Sequence, residues 1–168
     1  MTLKRDPKDI QRIMGMMAEL ELKISEFYRE CGDFWKQEKD FWASLEKDEV
    51  THAQFVRKMA DILLARPEQF EENRPFNPVS IAVTLAGIQK NLQKLKEGQL
   101  QGLHLLSIAR DMEQSLLETK PGEILNSRDM EYQNLLQMIE SQTHAHKRKL
   151  AEKIEEVKSR PRLGCLRP

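Results

Sequence analysis

The chain has 168 residues, and 27 Lys+Arg balance 27 Asp+Glu for a formal net charge of +0. At roughly 100–200 residues per domain, that is one domain with room for a sizeable core. The neutral balance argues against a nucleic-acid groove that works through a net positive field.

The longest apolar runs, such as Ile62-Leu63-Leu64-Ala65, fall far short of the ~18 residues of a membrane span. The start is amphipathic with acids in it and does not read as a secretory leader. Cys31 and Cys165 are too few for a disulfide framework or a cysteine-rich zinc site. The expected setting is the reducing cytoplasm, with neither a membrane nor a nucleic acid as partner. Gly and Pro number 7 each, leaving few places for the turns of an all-β chain.

In chain order, Asp6 is suited to cap a helix that has Pro7 at its first position and Asp9 in its first turn. Apolar residues then recur at helical spacing through Ile10, Ile13, Met14, Met17, Leu20, Ile24, Phe27 and Tyr28, and Gly32 closes the helix. A second helix starts near Asp40, carries Trp42, Leu45, Val56, Met59 and Leu63, and stops before Arg66-Pro67. Residues 67–78 are polar, hold three prolines and read as a connection. Val79 to Leu95 forms an additional short helix, after which Gly98 and Gly102 mark a break. A further helix with Leu103, Leu106, Ala109, Leu116 and Leu117 runs to Lys120, where Pro121-Gly122 stops it. The last helix begins around Asn126-Ser127 and carries Leu135, Leu136, Ile139, Leu150, Ile154 and Val157. The expected domain spans 6–158, with a loose tail at 159–168.

Two helix pairs with short internal links, joined by a long connection from Pro67 to Gly98, outline an all-α four-helix bundle. The polar residues on its apolar stripes carry the functional information. Glu21 lies four residues after Met17 and three before Ile24, so it points where they point. Glu19, Glu26 and Glu30 fall on the far side and read as solvent-facing charges. The second helix reads Trp42, Leu45, Glu49, His52, Val56, Met59, Leu63 in steps of three and four, which turns Glu49 and His52 to the core one turn apart. Glu113 shares a stripe with Ala109 and Leu116. Ile139, Thr143, His146 and Leu150 share a face on the last helix, whereas His144 and His104 fall among exposed positions.

A buried carboxylate costs several kcal/mol unless it is paired, hydrogen-bonded or metal-bound. One such Glu or His is usually a bundle-edge residue, an ion-pair partner or a hydrogen-bonded core residue. Every one of the four long helices, however, places a ligand-type side chain near its middle. Glu21, Glu49, His52, Glu113 and His146 therefore point to a shared cation site, and oxygen donors with two imidazoles suit iron or manganese, with zinc as competitor. The methionines of the first helix read as core filler.

With those residues in place, the chain resembles the ferritin-like di-iron carboxylate proteins, and most of all the rubrerythrin branch. Glu21 through Phe27-Tyr28 looks like that branch's first-helix pattern. Asp48-Glu49-Val50-Thr51-His52-Ala53 looks like its second-helix Glu-x-x-His pair, Glu113 like the single Glu of the third helix, and His146 like the histidine of the fourth. The resemblance runs from about Ile10 to Val157. It implies a ferritin-like bundle, one or two iron ions (manganese or zinc as alternatives), peroxide or oxygen chemistry, and a homodimer.

The chain departs from that pattern at Thr143, where a second Glu-x-x-His would need Glu. Glu140, six residues before His146, is a possible substitute, and taking His144 as the ligand instead puts Ser141 at the Glu position. No Cys-x-x-Cys pair occurs, so a redox reaction would need an external electron donor. Two readings stay open: a metalloprotein of peroxidase or ferroxidase type with a weakened second metal position, and a metal-free bundle that serves structure or partner binding.

Overall fold

The computed structural model describes residues 3–119 and 121–160. They form α1 (Pro7–Phe34), α2 (Lys39–Ala65), β1 (Phe70–Glu72), α3 (Pro78–Lys96), α4 (Leu103–Thr119), α5 (Pro121–Ile124), β2 (Leu125–Ser127) and α6 (Met130–Ser159), with a 3₁₀ turn before α2 and another before β1. The architecture is all-α apart from one small two-stranded sheet. No helix among the described residues is long and apolar enough to cross a membrane.

The helix starts follow their capping chemistry. Asp6 accepts a hydrogen bond from the Lys8 amide at 2.8 Å with Pro7 at the first helical position. Asn77 caps α3 through the Ser80 amide, and Asp129 caps α6 through the Tyr132 amide, each at 3.1 Å or less. These side chains satisfy amides that the first turn of a helix leaves without partners. Gly98 and Gly102, with φ of 71° and 49°, make the left-handed turns between α3 and α4.

Helices α1 and α2 pair along most of their length, α2 packs on α6, α6 on α4, and α4 touches α1. Gly32 lets the end of α1 lie close to the start of α2: a Cβ there would stand 3.3 Å from the Trp42 Cβ. Two apolar clusters fill the interior. One joins Ile10–Ala18 of α1 to Ala53–Leu63 of α2 and to Tyr132, Leu135 and Ile139 of α6. The other joins Leu20–Cys31, Trp42 and Leu45 to Leu105, Leu106, Ala109, Leu150 and Ile154. The candidate residues lie between them.

Four expectations need correction. The segment 67–78 is not all connection: Phe70–Glu72 pairs antiparallel with Leu125–Ser127, Phe70 opposite Ser127. Asn126 and Ser127 are consequently strand residues, and α6 starts at Met130 because Asp129 supplies the cap. The additional helix is no short insert, since α3 has 19 residues against the 17 of α4. Its Ile81, Ile88, Leu92 and Leu95 are buried and keep it packed on α1 over its length. Helix α6 also extends to Ser159, and Arg160 pairs with Glu38 and Glu156. The rest of the expected tail, with Cys165, and the helix end at Lys120 lie outside the described residues.

Candidate metal centre

Each of the five expected side chains reaches the centre from its own apolar stripe: Glu21 from α1, Glu49 and His52 from α2, Glu113 from α4 and His146 from α6. All are buried, Glu21 the least at 6% exposure. They fall into two overlapping groups, Glu21 with Glu49 and His52, and Glu49 with Glu113 and His146. Within each group one ligand atom per residue lies within 4.8 Å of the others. Glu49 belongs to both.

The two imidazoles are posed alike. His52 Nδ1 lies 3.1 Å from Glu49 Oε2, and His146 Nδ1 lies 2.8 Å from Glu49 Oε1 and 3.4 Å from Glu113 Oε1. The rings stand 5.7 Å apart at 30°. Outside the centre, His52 Nε2 meets Gln142 Oε1 at 2.7 Å, and His146 Nε2 meets Asp48 Oδ2 at 3.0 Å. Both outer partners are acceptors, so each Nε2 carries its hydrogen outward and Nδ1 faces the carboxylates. An outer carboxylate or carbonyl that fixes the ring of a metal-binding histidine is the usual companion of such ligands.

The donors are under-used as they stand. Glu21 Oε2, Glu49 Oε1, Glu113 Oε2 and His146 Nδ1 are buried and make no aligned hydrogen bond. The 2.8 Å approach of His146 to Glu49 is an ion-pair contact. Leaving a buried polar atom without a partner costs ~1–3 kcal/mol, and four such atoms facing one small region fit a cation better than they fit a closed hydrogen-bond network.

Electrostatics follow from this packing. Burial, then the Glu49 carboxylate, push the Glu21 carboxyl well above the usual range. The same two causes raise Glu113. Burial alone would raise Glu49 too, but contacts from His146 and His52 outweigh it and bring its carboxyl down to about 2. Burial works against the charged imidazoles, yet Glu113 and Glu49 hold His146 up at about 10, and Glu49 raises His52. Without an ion, the Glu49 carboxylate favours the charged form of the two imidazoles beside it, while Glu21 and Glu113 are shifted toward their protonated form.

Thr143 is buried at 2% exposure, and its hydroxyl donates to Ile139 O at 2.9 Å. Its one side-chain oxygen is thus turned onto its own helix. Glu140 is half-buried and belongs to neither group, and His144 and His104 are exposed. Glu19 faces solvent as expected. Glu26 and Glu30 do not: they are half-buried, because α3 crosses that side of α1 and brings Lys96 against them, 3.5 Å from Glu26. Met14 is core, while Met16 and Met17 are half-buried against it.

Sequence reasoning missed three participants. Tyr28, placed only as a core aromatic, donates its hydroxyl to Glu113 Oε1 at 2.5 Å. Asp48 and Gln142 each immediately precede the Glu or Thr of a Glu-x-x-His register. Set against one another, Asp48-Glu49-x-x-His52 and Gln142-Thr143-x-x-His146 form a repeated unit in which each outer oxygen serves the other helix's histidine. That repeat is the signal that would have found them. No protein-family model matches the chain, and comparisons with curated proteins and with solved structures likewise return no match.

Proposed function

We propose that the protein is a non-haem metalloprotein of the ferritin-like, rubrerythrin-like kind, whose Glu21, Glu49, His52, Glu113 and His146 hold one or two ions, iron first, manganese or zinc as alternatives. The observation that carries this is the matched pose of the two histidines, with Nδ1 inward beside a shared Glu49 and Nε2 fixed from outside. The closed run of contacts from α1 through α2, α6 and α4 supports the bundle reading.

Iron bound here would supply electron transfer to or from oxygen or peroxide. The chain's own groups do the rest. His52 and His146 release the proton held at Nδ1 while Gln142 and Asp48 keep each ring in register. Glu21 and Glu113 release theirs as well. Tyr28 fixes one Glu113 oxygen, which leaves Oε2 free to face the centre. Burial of all five donors keeps bulk water from competing for them. The electrons of a peroxidase-type reaction would come from a donor outside these residues, and a homodimer remains the expected assembly.

One observation favours the metal-free bundle: Glu49 and the two histidines already form ion pairs with one another. Elemental analysis after expression in iron-supplemented medium decides between the two. Co-purified metal that is lost in His52→Ala and His146→Ala supports the centre. Metal-free protein that also fails to bind Mn²⁺, Zn²⁺ or Fe²⁺ on titration overturns it. If a missing carboxylate limits the second position, Thr143→Glu raises the metal content toward two per chain together with any ferrous-oxidation rate.

A further inference from the structure

A cavity of about 720 Å³ lies between α1, α2, α6, the start of α3 and the segment from the end of α4 to α5, within the ~300–1,000 Å³ of small-molecule sites. Most of its wall is apolar, with Met14, Met17, Leu20, Met59, Ile81 and Ile139 contributing. The three methionines let that wall adapt to the shape of an occupant.

The polar part of the lining is acidic. Glu21, Glu118, Glu123 and Glu140 stand there against one arginine, Arg74, and one histidine, His144. Arg74 lies 3.8 Å from Glu123, so its charge already faces a carboxylate of the same lining. Glu118 accepts from the Gln114 amide at 2.7 Å. Glu140 is half-buried and makes no hydrogen bond or ion pair among the described residues. Glu21 is 6% exposed, and its Oε2 is buried without a hydrogen-bond partner.

This lining selects an occupant by charge and by polarity together. An organic anion would meet four carboxylates and a single, already paired arginine. A neutral apolar molecule would cover the wall but leave Glu140 and Glu21 Oε2 as they are. A hydrated inorganic cation would suit the carboxylates and gain nothing from the apolar wall. An ammonium on an apolar body uses both: its N–H groups donate charge-assisted hydrogen bonds to carboxylate oxygens, and its body leaves water for the wall.

We propose that the cavity binds an organic amine, a protonated primary ammonium carried on an aliphatic body. Glu140 and Glu21 take the ammonium, and Met14, Met17, Met59 and Ile139 take the body. Metal is not required, since Glu140 belongs to neither ligand group. Each methylene buried against the wall strengthens binding about fourfold.

The test is calorimetric titration of decylamine into the full chain at neutral pH in EDTA, below the amine's micelle concentration, with octylamine, decanoate and decanol as comparisons. We expect binding that saturates at one decylamine per chain. Decanoate and decanol, which cannot make the charge-assisted bonds, should each be at least about tenfold weaker. Octylamine, two methylenes shorter, should be weaker by about tenfold. Glu140→Gln and Glu21→Gln should each weaken decylamine at least about tenfold while leaving decanol unchanged. Met17→Trp, which narrows the apolar wall, should weaken decylamine and decanol alike, with an unchanged circular dichroism spectrum. Decanoate or decanol binding as tightly as decylamine, uptake that does not saturate at one per chain, or full affinity in either glutamine variant overturns the proposal. With EDTA present throughout, a chain that takes decylamine but separately binds no metal upholds this inference and overturns only the metal reading. One that binds metal but ignores decylamine does the reverse.

Discussion

Replacing Glu49 by Gln removes the charge that both groups share while keeping the side chain's shape. In the metal-free protein, Glu113 and Glu49 together lift His146 from its ordinary 6.5 to about 10. That rise corresponds to ~5 kcal/mol of interaction favouring the imidazolium. Glu113 and Glu49 share it, so losing Glu49 forfeits ~2–3 kcal/mol, and the 3.1 Å contact to His52 adds to the loss. The low carboxyl of Glu49 reports the same contacts and is not counted again. The expected cost of Glu49→Gln is ~3 kcal/mol, which in a chain of this size lowers Tm by ~6–12 °C.

The sign with pH is fixed by the raised imidazoles. The His146 contribution is fully present below about 6.5 and fades as pH rises through about 10, and that of the raised His52 is lost in the same direction. Thermal unfolding followed by circular dichroism in EDTA, from pH 6 to pH 10, should show the wild type ahead at pH 6 and the gap closing toward pH 10. An equal or higher Tm for Glu49→Gln at pH 6 would refute the reasoning, since it would mean that burying the charges costs more than their pairing returns.

Three further expectations follow from the same geometry. Metal binding displaces protons from His52, His146, Glu21 and Glu113, so Mn²⁺ or Zn²⁺ affinity should climb from pH 6 to pH 8 with measurable proton release in weak buffer; pH-independent affinity would contradict the protonated centre. Asp48→Asn, which weakens the outer hold on His146, should reduce metal affinity about 10–100-fold, and Gln142→Leu should do the same through His52 while also lowering the apo Tm, because it leaves the buried Nε2 without an acceptor. Glu38, 7% exposed and paired with Lys153 at 3.1 Å and with Arg160, should cost ~1–2 kcal/mol as Glu38→Gln in urea unfolding, against no effect if the α2–α6 ion pairs are idle.

Much of this molecule was readable before its structure because helical periodicity is a strong signal and polar residues on apolar stripes violate it visibly. Glu21, Glu49, His52, Glu113 and His146 each broke a run of Leu, Ile, Met or Ala, and all five meet. The sheet gave no such signal. Phe70–Glu72 and Leu125–Ser127 are three residues each, too short to show an alternating pattern, and Glu72, buried at 2%, carries the wrong polarity for a core strand. Its partner is the distant Arg5, 3.4 Å away, a pairing that no local rule exposes. Asp48 and Gln142 were hidden for another reason. Each lies about 100° around its helix from the stripe, where a polar residue is unremarkable. Only the crossing of α2 by α6 turns them inward.

The ligands come from helices at opposite ends of the chain, and no two consecutive helices assemble the set. Glu21 and His146 cannot share a centre until α1, α2, α4 and α6 have all docked, and a chain in which α4 or α6 has come away keeps only Glu21, Glu49 and His52, on the α1–α2 pair. An ion held by Glu49, Glu113 and His146 binds the native form and not forms that have lost α4 or α6, and its free energy is added to those openings as well as to global unfolding. In amide hydrogen exchange, the consequence is collective: loading the centre slows the opening of the four ligand-bearing helices, while α3, which contributes no ligand, keeps its own local rate of opening.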